Sequence, residues 1–274
     1  MLRAIVLGAV QGLTEFIPVS SSGHLVLVPF VLGWDAGTGF TPGVPFDVAV
    51  HLGTALAVVV YFRHELGGMI MGAARTLLRR PAEGDRSSAR LLGLLGLGSI
   101  PAAALGIAFE GFFERLFRNP GLVAMLLLAT AALLVAGEAL HRRAPGERRE
   151  IEDLRATDAL IVGAFQAIAI APGISRSAAT IVGGLTRRMS RETAARFSFL
   201  LGLPAILGAG LVQIPDFPAR TDWGAVVAGT GAAAAFGFAS IWFLLRYLRR
   251  GSLHPFAAYC VAAAAFAFGW WLLA

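Results

Sequence analysis

Long apolar runs separated by short polar segments dominate the pattern of this chain. Six of these runs are each long enough to cross a bilayer as a helix, which takes about 20 apolar residues. They lie at 46–64, 91–109, 121–140, 192–213, 222–245 and 254–273. The pattern therefore predicts an all-α polytopic membrane protein with about six transmembrane helices.

Two further apolar stretches, 2–33 and 157–186, are broken near the middle by proline, glycine and serine. The breaks lie at 18–23 and 172–177. Each arm of about 12 residues makes a helix about 18 Å long, which reaches the middle of a bilayer and no further. We therefore predict two re-entrant helical hairpins in addition to the six spans.

The two broken stretches resemble each other at a constant offset of 155 residues, with Ser21 replaced by Arg176. Such related segments, inserted from opposite faces, indicate an inverted-topology repeat whose working site lies where the broken helices meet. We expect a single membrane domain over 1–274, with repeat one at about 1–140 and repeat two at about 157–274. Residues 141–156 then form a cytoplasmic connecting loop. The matching pairs are Gly8 and Gly163, Gln11 and Gln166, Ser20 and Ser175, and Ser22 and Ser177.

Composition agrees with a membrane location, because 57% of the 274 residues are hydrophobic, 15% are charged and the mean hydropathy is +0.71. A net charge of +6 could suit a nucleic-acid-binding protein. However, all 23 basic residues are arginine, and most lie in short clusters between apolar runs. The positive-inside rule produces clusters of that kind, so we expect a membrane and no nucleic acid as partner.

The arginine clusters also predict an orientation. If 65–90, 141–155, 187–191 and 246–253 are cytoplasmic segments, they hold 16 arginines, whereas the opposite side holds four. This bias places both termini outside, with hairpin one entering from the outside and hairpin two from the cytoplasm. Two ordinary spans in place of each hairpin would keep the same loop sides.

The hairpins concentrate polar side chains at membrane depth, where ionisable residues are costly and usually functional. Gln11 and Glu15 are four residues apart and share a helix face. A carboxylate, an imidazole, several hydroxyls and a guanidinium suit phosphoryl transfer from a polyanionic headgroup, and Glu15 is the candidate ligand of a divalent cation, Mg²⁺ or Ca²⁺. The catalytic candidates are Glu15, Ser21, His24 and Arg176, and the substrate-binding candidates are Gln11, Ser20, Ser22, Ser175, Ser177 and Thr180.

Two long motifs resemble the signatures of one family. The segment QGLTEFIPVSSSGH at 11–24 and the segment PGISRSAAT at 172–180 are similar to the first and second signatures of the undecaprenyl-diphosphatase, or bacitracin-resistance protein, family. The resemblance implies hydrolysis of undecaprenyl pyrophosphate to the monophosphate carrier used in cell-wall synthesis, and hence bacitracin resistance. It also implies a divalent metal and a site open to the outer side of the bacterial inner membrane.

The resemblance further implies roles for single residues. Glu15 matches the essential acidic residue of the first signature, and His24 matches the catalytic histidine. Ser175 and Arg176 match the phosphate-binding pair of the second signature. Position 11 is acidic in some members and is Gln11 here, so Glu15 is the only carboxylate of the motif.

The residues leave several alternatives open. Ser21 is our preferred nucleophile or phosphate ligand, with Glu15 as metal ligand or base and His24 as general acid/base, but His24 or an activated water could attack instead. For His51 and Asp47, structural pairing is favoured over a catalytic role. A lipid-carrier flippase or transporter remains the alternative function, since broken helices at the midplane also occur in transporters. The oligomeric state is open between a monomer and a homodimer.

Overall fold

The computed structural model describes residues 1–34, 44–80, 82–143, 146–213 and 221–273. Within these ranges the chain is all-helical, as the apolar pattern predicts. A single 3-10 turn at Ile151–Asp153 separates α7 from α8. The α-helices are α1 (Leu2–Phe16), α2 (Ser21–Val31), α3 (Val44–Tyr61), α4 (Arg63–Leu77), α5 (Asp85–Ala108), α6 (Glu110–Phe117), α7 (Pro120–Arg143), α8 (Ala156–Ile168), α9 (Arg176–Thr186), α10 (Arg191–Gln213), α11 (Trp223–Leu248) and α12 (His254–Leu273).

Both apolar stretches that we predicted to be broken are pairs of short helices, α1 with α2 and α8 with α9. The second helix of each pair begins after a serine N-cap. The Ser20 hydroxyl accepts a hydrogen bond from the Gly23 amide at 3.2 Å, and the Ser175 hydroxyl accepts one from the Ala178 amide at 3.2 Å. Residues separated by 155 positions therefore make the same capping bond, which satisfies an otherwise unpaired amide of the first turn.

The predicted spans are helical. In the described part of the chain, α5, α7, α11 and α12 are long and apolar enough to cross a membrane, and α3 with α4 forms a fifth candidate bent by 78°. The predicted span 192–213 forms α10. The direction in which each hairpin enters the membrane stays a prediction.

The segment 65–90, which the arginine count treated as a loop between two spans, is mostly helical, because α4 and the start of α5 occupy most of it. The prediction of a loop there was wrong. The four arginines in 75–86 obscured a helix whose contact face consists of small and apolar residues. Met69 is buried on this face, and Gly72 lies so close to α5 that a Cβ atom there would be 2.8 Å from the Asp85 carbonyl oxygen. Arg220, counted on the outer side, and residues 144–145 of the connecting loop lie outside the described residues.

Glycines bring the first arm of each hairpin into backbone contact with a long helix. A Cβ atom at Gly8 of α1 would lie 2.9 Å from the Gly229 Cα of α11. A Cβ atom at Gly163 of α8 would lie 3.1 Å from the Gly98 Cα of α5. Small residues allow this close approach between membrane helices. Glycines at matching positions of the two similar segments therefore set the positions of both hairpins.

Two fully buried carboxylates outside the hairpin breaks tie further helices together. Glu138 of α7 accepts hydrogen bonds from the Arg191 side chain of α10 and from the Leu253 amide just before α12. Asp158 at the start of α8 accepts one from Arg187, just after α9, at 2.7 Å. Buried charges are stable only when they are paired in this way, so these contacts hold the ends of the helices in place.

Replacing Gly8 by alanine should destabilise the protein, because the added methyl group would overlap the Gly229 backbone. We expect overpacking to lower the free energy of unfolding by about 1–3 kcal/mol, although alanine has a higher intrinsic helix propensity than glycine. The measurement is the thermal unfolding midpoint in detergent. Gly231→Ala in α11 is the matched control, because no atom lies within 4 Å of its added Cβ. Equal midpoints for the two variants would contradict backbone contact between α1 and α11.

Candidate functional site

The two hairpin breaks meet inside the helix bundle. A Cβ atom at Gly23 of the first break would lie 3.3 Å from the Gly173 Cα of the second. Gly173 has a φ of 94°, which favours glycine. The Thr130 hydroxyl of α7 donates to the Gly173 carbonyl at 2.7 Å and accepts from the Ser175 amide at 2.9 Å. Thr130, which the sequence analysis did not single out, therefore holds the second break in position.

Glu15 is the centre of the polar cluster at this meeting point. Its side chain is buried, and both carboxylate oxygens accept hydrogen bonds. Ser21 Oγ donates to Oε2 at 2.5 Å, and Gln11 Nε2 donates to the same oxygen at 2.9 Å. Arg176 Nη2 donates to Oε1 at 2.8 Å. The structure thus brings together four of the residues that the sequence analysis nominated.

Arg176 connects the two hairpins across 161 residues of sequence. It is the first residue of α9, directly after the second break, and its guanidinium contacts Glu15 of α1. Arg176 Nη1 donates to the Ser198 carbonyl of α10 at 3.4 Å, and the group packs directly against Gly202, where a Cβ atom would overlap it. A guanidinium has five donors, so hydrogen atoms beyond these two contacts remain for an anionic ligand.

His51 of α3 also faces the cluster. Its Nε2 lies 3.7 Å from Glu15 Oε2, and its side chain is 30% exposed. The other ring nitrogen, Nδ1, donates to the Asp47 carbonyl at 2.7 Å, one helical turn earlier. The favoured interpretation of His51 as a structural residue left it outside the predicted site. Its polar character inside an apolar helix was the available signal.

The remaining hydroxyls of the two motifs shape the turns around the cluster. Within the first break, Ser20 Oγ and Ser22 Oγ are 3.4 Å apart, and within the second, Ser175 Oγ and Ser177 Oγ are 3.1 Å apart. Thr180 Oγ1 lies one turn further along α9. It donates to the Arg176 carbonyl at 2.8 Å and is 2.5 Å from the Ser198 hydroxyl of α10.

His24 lies in the first turn of α2, and its ring nitrogens contact groups outside the Glu15 cluster. Nδ1 is 2.7 Å from the Ser20 carbonyl oxygen, and Nε2 is 2.7 Å from the Tyr259 hydroxyl of α12. His24 is buried. Tyr259 was not singled out from the sequence, because a tyrosine within an apolar run is ordinarily part of the membrane-facing surface.

The cluster can take part in binding a divalent cation, but it offers no complete cage. Within the described residues, no group of three or more His, Cys, Asp or Glu side chains is placed to hold a metal. One feature does fit a cation: the buried Gln11 Oε1 beside Glu15 has no hydrogen-bond partner. Mg²⁺ is commonly held by one or two carboxylates together with substrate phosphates and water. Glu15 and the Gln11 amide oxygen suit that mode.

This arrangement is suited to a phosphate group. A hydroxyl that is hydrogen-bonded to a carboxylate provides a nucleophile beside a base. A nearby guanidinium provides positive charge that stabilises phosphate oxygens. α2 and α9 both begin at the two breaks, which contact each other, and helix N-termini favour anions.

Comparison with known proteins agrees with this geometry. A family model described as "Bacitracin resistance protein BacA" matches residues 4–266. The undecaprenyl-diphosphatase of Moorella thermoacetica is 43% identical over 265 residues, covering 97% of this chain and 95% of the relative. The undecaprenyl-diphosphatase of Syntrophotalea carbinolica is 44% identical, with 94% of both chains covered, and undecaprenyl-diphosphatase 2 of Streptomyces avermitilis is 37% identical, with 95% and 91% covered. The chain therefore belongs to the bacitracin resistance protein BacA family.

Proposed function

We propose that this protein hydrolyses undecaprenyl pyrophosphate to undecaprenyl phosphate and inorganic phosphate. The observation that carries the proposal is the chain of contacts from the Ser21 hydroxyl through the Glu15 carboxylate to the Arg176 guanidinium. Membership of the family and the names of its relatives support this substrate. The activity renews the lipid carrier of cell-wall synthesis and underlies bacitracin resistance.

In the proposed mechanism, Ser21 is the nucleophile. Its oxygen attacks the terminal phosphorus while its proton passes to Glu15, whose Oε2 is 2.5 Å away. The bond from that phosphorus to the bridging oxygen breaks, and undecaprenyl phosphate leaves. Water then cleaves the phosphoserine ester and releases inorganic phosphate, and the proton returns to Ser21.

Arg176 binds the phosphate oxygens in this mechanism. Its fork of donors matches phosphate geometry, and its contacts with Glu15 and the Ser198 carbonyl orient it. Glu15 already neutralises much of the positive charge of the Arg176 guanidinium. The side chains of the cluster therefore do not balance the negative charge of a pyrophosphate. We propose that Glu15 and Gln11 Oε1 hold a divalent cation, Mg²⁺ or Ca²⁺, which supplies positive charge to the phosphates.

We also propose an orientation in the bacterial inner membrane, with the site open to the outer side. The arginine distribution supports it, because 16 arginines lie in the segments placed in the cytoplasm and four on the other side.

The activity is tested by phosphate release from a prenyl pyrophosphate by purified protein, with Mg²⁺, with Ca²⁺ and with a chelator. We expect Ser21→Ala, Glu15→Gln and Arg176→Lys to lower kcat by about 10²–10⁴-fold, because each removes a group that acts in the transition state. Ser87→Ala and Arg250→Lys change the same residue types outside the cluster and should retain activity.

Unfolding midpoints must accompany these rates, since breaking a buried ion pair also costs about 3–5 kcal/mol of stability. Phosphate release that survives Glu15→Gln and Arg176→Lys in folded protein would contradict the assigned chemistry. A folded wild type that releases no phosphate under any condition, but moves the lipid headgroup across liposomes, would instead identify a transporter.

A second prediction concerns Gly202, which carries no polar group. Gly202→Ala should lower kcat by about 10²-fold, because the added methyl group displaces the Arg176 guanidinium and small misplacements of a catalytic group are costly. Gly208→Ala in the same helix is the matched control, since no atom lies within 4 Å of its added Cβ. If both variants keep full activity, catalysis does not depend on the packing of Arg176 against α10.

The orientation is tested with single cysteines. Cys260 is buried, so an impermeant thiol reagent should react mainly with introduced sites. We expect Glu83→Cys, between α4 and α5, to react only from the cytoplasmic face and Asn119→Cys, between α6 and α7, only from the outside. The reverse pattern would overturn the proposed topology.

A further inference from the structure

The tautomer of His24 follows from its neighbours. Nδ1 lies 2.7 Å from the Ser20 carbonyl oxygen, and a carbonyl can only accept, so Nδ1 carries a hydrogen. Nε2 lies 2.7 Å from the Tyr259 hydroxyl, and the two rings are nearly parallel, with an interplanar angle of 14°. Both nitrogens of this buried ring are therefore engaged, one by the first break and one by α12.

The carbonyl that His24 binds belongs to the peptide that joins Ser20 to Ser21. A peptide unit is planar, so a hydrogen bond to its oxygen also sets the direction of the Ser21 nitrogen and Cα. Ser21 is the residue whose hydroxyl meets Glu15 at 2.5 Å. By binding this carbonyl, the imidazole thus helps to fix the position of Ser21.

This peptide needs support, because Ser20 has a φ of 72° and a ψ of 93°. A residue other than glycine holds such a conformation only where its surroundings impose it. The Gly23 amide binds the Ser20 hydroxyl, and the His24 amide and ring both bind the Ser20 carbonyl. The ring makes the shorter of the two contacts with the carbonyl, at 2.7 Å against 3.2 Å.

We propose that His24 is a positioning residue for this reaction, and that Tyr259 is its partner. His24 holds the peptide between Ser20 and Ser21 so that the Ser21 hydroxyl faces Glu15, and Tyr259 fixes the plane of the ring. This role replaces that of general acid/base, which the sequence analysis preferred for His24, and that of nucleophile, which it left open. The inference rests on the proposed phosphatase activity and adds the last helix of the chain to the parts that the site requires.

Two substitutions of His24 separate the roles. Asparagine has an amide nitrogen two bonds from Cβ, as Nδ1 is, and can still donate to the Ser20 carbonyl. Glutamine has its amide nitrogen three bonds from Cβ, as Nε2 is, and cannot replace Nδ1 at the same place. Neither amide can act as an acid, a base or a nucleophile at neutral pH.

We expect His24→Asn to keep kcat within about tenfold of wild type, the scale of one altered hydrogen bond. His24→Gln and His24→Ala should lose about 10²-fold, because the nucleophile is no longer aligned. The values of KM should change little. If the Asn and Gln variants are equally inactive, the imidazole itself is needed. If they are equally active, the contact with the Ser20 carbonyl is not needed. Either outcome overturns the proposal.

Tyr259 is tested by a double-mutant cycle. Tyr259→Phe should lower kcat by about threefold to tenfold in the wild type and have no further effect in His24→Asn, because the two residues act as one unit. Tyr247→Phe is the matched control, since its hydroxyl binds the Ser252 carbonyl away from the site. Equal losses in both backgrounds would show that Tyr259 acts independently of His24.

These outcomes are distinct from failure of the proposed function. The wild-type protein must first release phosphate, and an inactive wild type would reject the phosphatase itself. With an active wild type and unchanged unfolding midpoints, the contrast between Asn and Gln at position 24 reports on His24 alone.

Discussion

The contact between Glu15 and Arg176 is the interaction on which the rest of the site depends. A carboxylate and a guanidinium buried in an apolar bundle are stable only together, because each alone would be a charge without solvation. The two residues come from different hairpins and lie 2.8 Å apart. Their pairing therefore requires both chain breaks to reach the same depth and to face each other. The rest of the fold can be understood as the means of meeting that requirement.

Close backbone packing places the two breaks. Gly8 and Gly163 let the first arms of the hairpins contact α11 and α5 without intervening side chains. Thr130 of α7 then binds both sides of the second break, and Gly202 of α10 provides room for the guanidinium. The surrounding helices α5, α7, α10 and α11 thus contribute small residues and a few hydrogen bonds.

The two hairpins share a capping hydrogen bond but differ in backbone conformation and in chemistry. The capping bonds of Ser20 and Ser175 have the same length and the same offset of 155 residues. At the next position, however, one half has Ser21 and the other has Arg176. The same type of cap therefore precedes a hydroxyl in one hairpin and a cation in the other, although Ser20 has a φ of 72° and Ser175 a φ of −70°. In the proposed mechanism, this asymmetry lets one hairpin provide the attacking group and the other bind phosphate.

The sequence by itself determined the long apolar helices, the two breaks and the polar residues at them, because hydropathy and the cost of charge in a membrane act locally. It also indicated the family through two motifs, each continuous in the chain. It did not reveal α4, whose arginines hide its contact face, or the roles of His51, Thr130 and Tyr259. Only the tertiary structure decided those, since the partner of each functional group lies on a distant helix. For Tyr259 the partner is His24, 235 residues away, and no local pattern encodes that distance.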